Sequence, residues 1–170
     1  MIRVIVVGAA GRMGRAVEAA AAGATDLTIK ARVDLPQNFP AAGGVWSDDV
    51  QAATGQGDVV VDFSGPAGAR AAAAACAARG AALVSGSTGL TAADEAALRE
   101  ASTRVAVLRA SNFSLGVAAL RVALKAALAA VPPGWDVEIV ERHHRLKKDS
   151  PSGTALTLAG DVRAARGLPA

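Results

Sequence analysis

The sequence predicts an α/β fold: a doubly wound parallel sheet over residues 1–110, followed by an α+β domain over residues 111–170. Three observations lead there. Short β-rich runs alternate with Ala-rich stretches of helical length through the first two thirds of the chain, which indicates βαβ units with right-handed connections. The runs Ile5-Val6-Val7 and Val59-Val60-Val61 are continuously apolar rather than alternating, as in parallel strands covered on both faces. After Leu108 the texture changes to one long helical run and a strand candidate of alternating character.

Taken in order, strands are expected at Arg3–Val7, Leu27–Val33, Val59–Phe63, Ala82–Ser85 and Val105–Leu108. Helices are expected between them at Met13–Ala22, Ala67–Arg79 and Ala92–Ala101. Asn112-Phe113-Ser114 opens the helical run Leu115–Val131, and Pro132-Pro133-Gly134 stops it. Trp135–Glu141 then alternates V, I, V against D, E, E, which predicts a strand wet on one face. A basic loop follows, and Pro151-Ser152-Gly153-Thr154 leads into a last helix ending near Arg166-Gly167.

Composition narrows the function. The 170 residues are 52% hydrophobic and 19% charged, which excludes general disorder. No apolar run reaches the roughly 18 residues of a membrane-spanning helix. The N-terminus reads as a strand running into glycines rather than a signal peptide, so a cytoplasmic location is expected. Cys76, the one cysteine, can form no internal disulfide and reads as a buried thiol. With no Tyr, two Trp and three Phe, the chain lacks the aromatics of a base-stacking surface, so nucleic acid is not an expected partner. The net charge of +3 arises entirely within residues 121–170 and centres on Arg142–Lys148, which suits a small anionic ligand. No metal site is expected.

The first chemical motif is Gly8-Ala9-Ala10-Gly11-Arg12-Met13-Gly14, placed between the first strand and a helix start. Glycines there permit a tight turn and a close approach of pyrophosphate to the backbone, while the helix N-terminus offers unpaired N–H groups to the anion. Its spacing is GxxGxxG, with Ala10 at the usual second glycine, and glycines also serve turns and helix packing. Asp34, 20 residues beyond Gly14 at the end of the second strand, is placed to accept both ribose hydroxyls of an adenosine. Together these point to a Rossmann-type dinucleotide site. Leu35 follows Asp34, so no arginine sits beside the acid to meet a 2′-phosphate, and NADH is favoured over NADPH. Lys30, Arg32 and Arg12 keep NADPH possible.

The second motif is the basic loop, Glu141 to Thr154, which contains both histidines of the protein. The Gly153-Thr154 pair at a helix start forms an anion site. Lys147 lies among Arg145, Lys148 and His144, whose like charges favour its neutral form and make it a better proton donor. The bland alternative is a solvated basic loop.

With these residues in place the chain resembles the 4-hydroxy-tetrahydrodipicolinate (dihydrodipicolinate) reductase family of diaminopimelate and lysine biosynthesis. The resemblance runs in order through GAAGRMGR, VVVDFSGP, SGSTGL, ASNFSLGV and EIVERHHRLKKDSPSGTAL, the last being the most specific. It implies an NAD(P)H-dependent oxidoreductase acting on a small cyclic dicarboxylate. Cofactor binding would fall on Gly8, Ala9, Ala10, Gly11, Arg12, Met13 and Asp34, on Gly86, Ser87 and Thr88, and on Ala110, Ser111, Asn112 and Phe113. The resemblance makes His143 a proton donor or acceptor and Lys147 the proton donor, with His144, Gly153 and Thr154 binding substrate carboxylate. Leu146 and Lys148 depart from the family's usual residues and alter the charge around Lys147. Residues 111–170 would be the first part of a substrate and oligomerisation domain, in a homo-oligomer that is tetrameric in the family. Because family members continue further, the chain is expected to lack the C-terminal part of that domain, leaving a strand edge uncovered. The competing expectation is a catalytically inactive, truncated dinucleotide-binding module.

Overall fold

The computed structural model describes residues 1–41, 43–143, 145 and 150–169. The chain divides into two compact units, Met1–Ala110 and Ser111–Ala170.

The first unit is built on six parallel strands: β1 (Ile2–Val7), β2 (Leu27–Val33), β3 (Trp46–Ser47), β4 (Val59–Asp62), β5 (Ala82–Ser85) and β6 (Val107–Arg109). Their spatial order is β3-β2-β1-β4-β5-β6, with every neighbouring pair parallel. Helices α1 (Arg12–Ala22), α2 (Val50–Ala53), α3 (Pro66–Arg79) and α4 (Ala92–Ser102) make the crossovers. The order reverses between β1 and β4, so β1 is followed outward by β2 on one side and by β4 on the other. In an open α/β sheet that switch point leaves a crevice beyond the carboxyl ends of the strands.

Continuous apolar runs make sense in this arrangement. Along β1 the side chains alternate between two cores. Ile5 and Val7 pack with Val60, Leu83 and the small residues of α3, while Val4 and Val6 pack with Val17, Leu27 and Ile29. A strand buried on both faces needs apolar residues at every position. Helix α3 buries Ala69, Ala72, Ala73, Ala75 and Cys76 in the core it shares with the sheet and with Leu98 and Ala101 of α4, so its backbone approaches its neighbours closely. Burial pushes the Cys76 thiol up to about 12, which leaves it in the inert protonated form.

Strands β2 and β5 have the bounds their sequence predicts, β6 begins two residues later and ends one later than expected, and the other expected elements of this unit shift by one residue at one end. Three short elements are additional: a 3₁₀ turn at Pro36–Asn38, β3, and α2. Helix α2 is short enough to depend on its cap, Asp49, whose carboxylate accepts from the N–H of Gln51 at 2.8 Å and of Ala52 at 3.1 Å.

The second unit corrects the expected α+β domain. Its described elements are two helices, α5 (Leu115–Ala130) and α6 (Gly153–Arg166). They are joined by Asp161, which receives a two-pronged contact from Arg121 at 2.6 and 3.0 Å and an ion pair from Lys125 at 3.3 Å. Ser114 and Ser152 cap the two N-termini. Residues 135–141 form no strand. Their alternation gives them a face to bury but no hydrogen-bonding neighbour lies alongside among the described residues, and Val140 is left 86% exposed.

Candidate functional site

The functional site of the first unit starts at the end of β1, where Gly8 turns the chain with a φ of +79°. That angle lies in the region side chains disfavour, and an added Cβ would also sit 2.8 Å from the carbonyl oxygen of Phe63. In the first turn of α1, a Cβ on Gly14 would lie 2.3 Å from the Gly8 carbonyl oxygen and 2.5 Å from the Ala9 Cα. Both glycines therefore let α1 start directly against the strand end. Gly11 is the N-cap of α1 and has no side-chain cap, so the first N–H groups of that helix are left for another acceptor.

Asp34, one residue beyond β2, closes the loop from the side. Its Oδ2 accepts the Ala10 N–H at 2.9 Å, and its Oδ1 accepts the Leu35 N–H at 2.8 Å and the Asn38 side-chain amide at 2.7 Å. Burial works to raise this carboxyl. The hydrogen bonds from Asn38, Ala10 and Leu35 outweigh it and hold the group below the usual carboxylate range. A carboxylate so held is an ionised acceptor at neutral pH.

These loops line a cleft of about 820 Å³ at the carboxyl ends of β1, β2 and β4. Of the residues expected here, Gly8, Ala10, Gly11 and Asp34 line it. Ala9 does not, because its methyl group is buried in the core beside Val4 and Val6. Arg12 and Met13 are exposed and are not among the lining residues, whereas Arg15, one turn further on, is. The opposite wall is Phe63, Ser64 and Gly65, which follow β4 as the glycine loop follows β1. In the sequence VVVDFSGP stands out only as a segment of the family resemblance, with no role attached to its residues, and nothing there singles out Asn38. The available signal was position, since a loop directly after the strand beside β1 must reach the same crevice.

The next loop, after β5, sits against this wall. The Phe63 ring covers Gly86, where a Cβ would come within 2.1 Å of it. Ser87 is buried and its hydroxyl accepts the Gly65 N–H at 2.8 Å, while Thr88 is exposed. Ala110 closes the first unit with its N–H on the Ser85 carbonyl at 3.1 Å. Lys30 and Arg32, considered for a 2′-phosphate, are paired elsewhere, Lys30 with Asp58 at 2.5 Å and Arg32 with Glu18 at 2.7 Å.

In the second unit the first turn of α6 holds Gly153 and Thr154. Asn112 donates to the Thr154 hydroxyl at 2.9 Å, and the Ser111 and Thr157 hydroxyls lie 3.0 Å apart, so Ser111 and Asn112 pack onto that turn. Phe113 is exposed. The Glu141 carboxylate accepts the Ser152 N–H at 2.9 Å and the Ser152 hydroxyl, and it lies 3.6 Å from Nδ1 of His143. His143 is thus brought beside the α6 N-terminus through Glu141. His144 and Lys147 lie outside the described residues. Among the described residues there is no cluster of His, Cys, Asp and Glu fit to hold a metal, and no helix is long and apolar enough to cross a membrane.

Sheet order, glycine turn, helix start and terminal acid together define a dinucleotide-binding α/β protein with a second unit attached. Comparison with known proteins makes this specific. Residues 2–113 match the family model for the N-terminus of dihydrodipicolinate reductase, and residues 116–168 match that for its C-terminus. The 4-hydroxy-tetrahydrodipicolinate reductase of Thermomicrobium roseum is 45% identical over 174 residues, covering 98% of this chain and 67% of that protein. The enzyme of the same name from Xanthomonas euvesicatoria is 45% identical over 162 residues, covering 92% of this chain and 67% of its own length. A dipicolinate-bound dihydrodipicolinate reductase from Paenisporosarcina superposes with a TM-score of 0.75 at 28% identity, covering 98% of this chain and 67% of that one. The chain belongs to the dihydrodipicolinate reductase family.

This corrects two expectations. The chain was expected to lack the C-terminal part, yet the C-terminal family model is matched across residues 116–168. The domain expected to be incomplete is represented by the folded helical unit of α5 and α6. The chain spans about two thirds of the length of the curated relatives it matches.

Proposed function

We infer that this chain is an NAD(P)H-dependent 4-hydroxy-tetrahydrodipicolinate reductase, an oxidoreductase that forms tetrahydrodipicolinate in diaminopimelate and lysine biosynthesis. The observation that carries this is the pair of family models matched in order along the chain. When bound, the reduced dinucleotide supplies the hydride. The chain's own residues do the rest.

Residues 1–110 act as the dinucleotide-binding domain and residues 111–170 as substrate-binding domain. Gly8, Ala9, Ala10, Gly11, Arg12 and Met13 form the loop for the pyrophosphate, whose negative charge meets free N–H groups at the α1 start. Asp34 takes the adenosine ribose. The engagement of Lys30 and Arg32 in other ion pairs, and Leu35 after the acid, support a preference for NADH over NADPH. Gly86, Ser87 and Thr88, with Ala110, Ser111, Asn112 and Phe113, complete the cofactor contacts.

A cyclic imine dicarboxylate needs its carboxylates held and a proton delivered as the hydride arrives. Gly153 and Thr154 offer the first N–H groups of α6 to one carboxylate, and His144 is a further substrate-binding residue by the family resemblance. Lys147 gives the proton, and His143 acts as proton donor or acceptor. Holding the reactants in one orientation supplies much of the rate. The protein works in the cytoplasm as a homo-oligomer, tetrameric as the family resemblance implies, and the exposed Leu115, Leu120 and Val122 of α5 are consistent with a covered face.

The test is oxidation of NADH and NADPH with substrate formed in place from pyruvate and aspartate semialdehyde by the upstream synthase. Turnover, faster with NADH, is the expected result. Lys147→Ala is expected to lower kcat by roughly 10²- to 10⁴-fold with NADH binding intact. A fully active Lys147→Ala variant would rule out its assignment as proton donor.

A further inference from the structure

We propose that Asp62 is a positioning residue for the nicotinamide half of the cofactor: its buried carboxylate ties the loops after β4 and β5 into one wall of the cleft. The proposal rests on the reading of that cleft as an NAD(P)H site.

Asp62 is the last residue of β4 and is fully buried. Its Oδ1 accepts the Ser64 N–H at 3.0 Å and the Ser64 hydroxyl at 2.5 Å. Its Oδ2 accepts the hydroxyl of Ser85, the last residue of β5, at 2.7 Å. Its backbone carbonyl accepts the Gly86 N–H at 2.8 Å, and the Gly65 N–H to Ser87 bond joins the same two loops one step further out. All donors to the carboxylate are neutral, and among the described residues Asp62 forms no ion pair. Burying a carboxylate without a countercharge is costly, and packing alone would be served by an apolar side chain. What the carboxylate adds is simultaneous acceptance from both loops.

Its effect reaches the cleft through Ser64. A Cβ on Gly68 would lie 2.0 Å from the Ser64 hydroxyl, one on Gly86 would lie 2.1 Å from the Phe63 ring, and one on Gly8 would meet the Phe63 carbonyl. The Phe63–Gly65 loop is therefore wedged among three glycines, and Asp62 sets its direction from beneath.

Sheet order identifies the half of the cofactor affected. Asp34 follows β2, the glycine loop follows β1, and β4 and β5 lie beyond, each strand about 4.8 Å from the next. A dinucleotide with its adenosine ribose at Asp34 and its pyrophosphate over β1 runs toward β4 and β5. The nicotinamide is the half that meets the loops Asp62 holds.

The experiment uses Asp62→Asn in the whole chain. Asparagine keeps the size but replaces one acceptor oxygen with a donor facing existing donors. Binding of ADP-ribose, which lacks the nicotinamide, is measured by calorimetry. Binding of NADH is measured by its own fluorescence, which reports the surroundings of the nicotinamide. The expected result is an ADP-ribose Kd within about twofold of the parent, loss of roughly half or more of the emission change of bound NADH, and a kcat lowered about 10- to 100-fold. Ser85→Ala removes one donor at a position that does not line the cleft, and it is expected to show the same selective pattern more weakly. If Asp62→Asn does not fold, Ser85→Ala decides. Equal loss of ADP-ribose and NADH affinity in the folded variants would show a general packing role and overturn the proposal, as would parent-like emission and turnover. A parent chain that binds neither ADP-ribose nor NADH would instead overturn the reading of the cleft itself.

Discussion

Asp34 shows how one side chain does two things. It buttresses the glycine loop through the Ala10 N–H and stays charged toward the cleft, where the proposed function sets the ribose, because its three hydrogen bonds outweigh the effect of burial. Asp34→Asn retains the shape and one acceptor but removes the charge. Hydrogen bonds to charged groups contribute about 1.5–3 kcal/mol, so NADH affinity is expected to fall roughly tenfold or more. NADPH should lose less, since the substitution also removes repulsion of the 2′-phosphate. Dissociation constants for both cofactors check this, and an unchanged NADH-to-NADPH ratio would refute the role given to the acid. The basic residues near the loop are separated by their own partners: Lys30 and Arg32 are neutralised by Asp58 and Glu18, and Arg15 faces the cleft.

Among the elements, α1 and α4 make a useful contrast. Helix α1 begins against the strand end only because Gly14 has no side chain, so Gly14→Ala is expected to displace the glycine loop, weaken NADH binding more than about tenfold and lower the Tm. Helix α4 is closed by a capping box in which the Thr91 hydroxyl accepts the Asp94 N–H at 3.3 Å and the Asp94 carboxylate accepts the Thr91 N–H at 2.7 Å. Thr91→Ala should cost about 1 kcal/mol, a Tm decrease of roughly 2–4 °C, with NADH affinity unchanged. Paired melting and NADH titration separates the two cases. What was legible in the sequence follows the same physics. Strands β1, β2, β4 and β5 announce themselves because burial on both faces demands unbroken apolar runs. The two-residue β3, the four-residue α2 and the 3₁₀ turn at Pro36–Asn38 carry no such run, and they are fixed by a neighbouring strand or a cap. Residues 135–141 failed the other way, since alternation predicts which face is buried but cannot supply a partner strand. In the site, Gly8, Gly11 and Asp34 were legible from spacing. Asn38 and Asp62 were not, because what singles them out is contacts to groups that only folding brings close.

At the scale of the whole molecule, aspartates fasten separate elements together, and this makes stability depend on acid. Asp58 joins β1 and β2 through Arg3 at 2.6 Å and Lys30 at 2.5 Å, and it also accepts the Gly55 N–H. Asp94 joins α4 to α3 through Arg70, and Asp161 joins α6 to α5 through Arg121. All three carboxyls are held below their ordinary value of 3.8. For Asp58 burial pushes upward but is outweighed by the Lys30, Arg3 and Gly55 hydrogen bonds and the Lys30 charge. For Asp94 the Thr91 N–H contributes most, followed by Arg70, and for Asp161 the Arg121 hydrogen bond does. A group depressed on folding contributes stability that is present above its unfolded value and lost as pH falls through its folded value. Urea midpoints are therefore expected to be level from about pH 7 to 5 and to drop below about pH 4. The two tryptophans allow each unit to be followed, since Trp46 lies in the first and Trp135 in the second. Asp58→Asn is expected to lower the Trp46 midpoint at pH 7 and flatten its decline below pH 4, leaving the Trp135 signal as in the parent. Asp161→Asn is expected to do the reverse. Midpoints read from Trp46→Phe and Trp135→Phe backgrounds at pH 7, 5, 4 and 3 make the comparison. Parallel acid declines in parent and variants would show that these carboxylates are not what ties stability to pH.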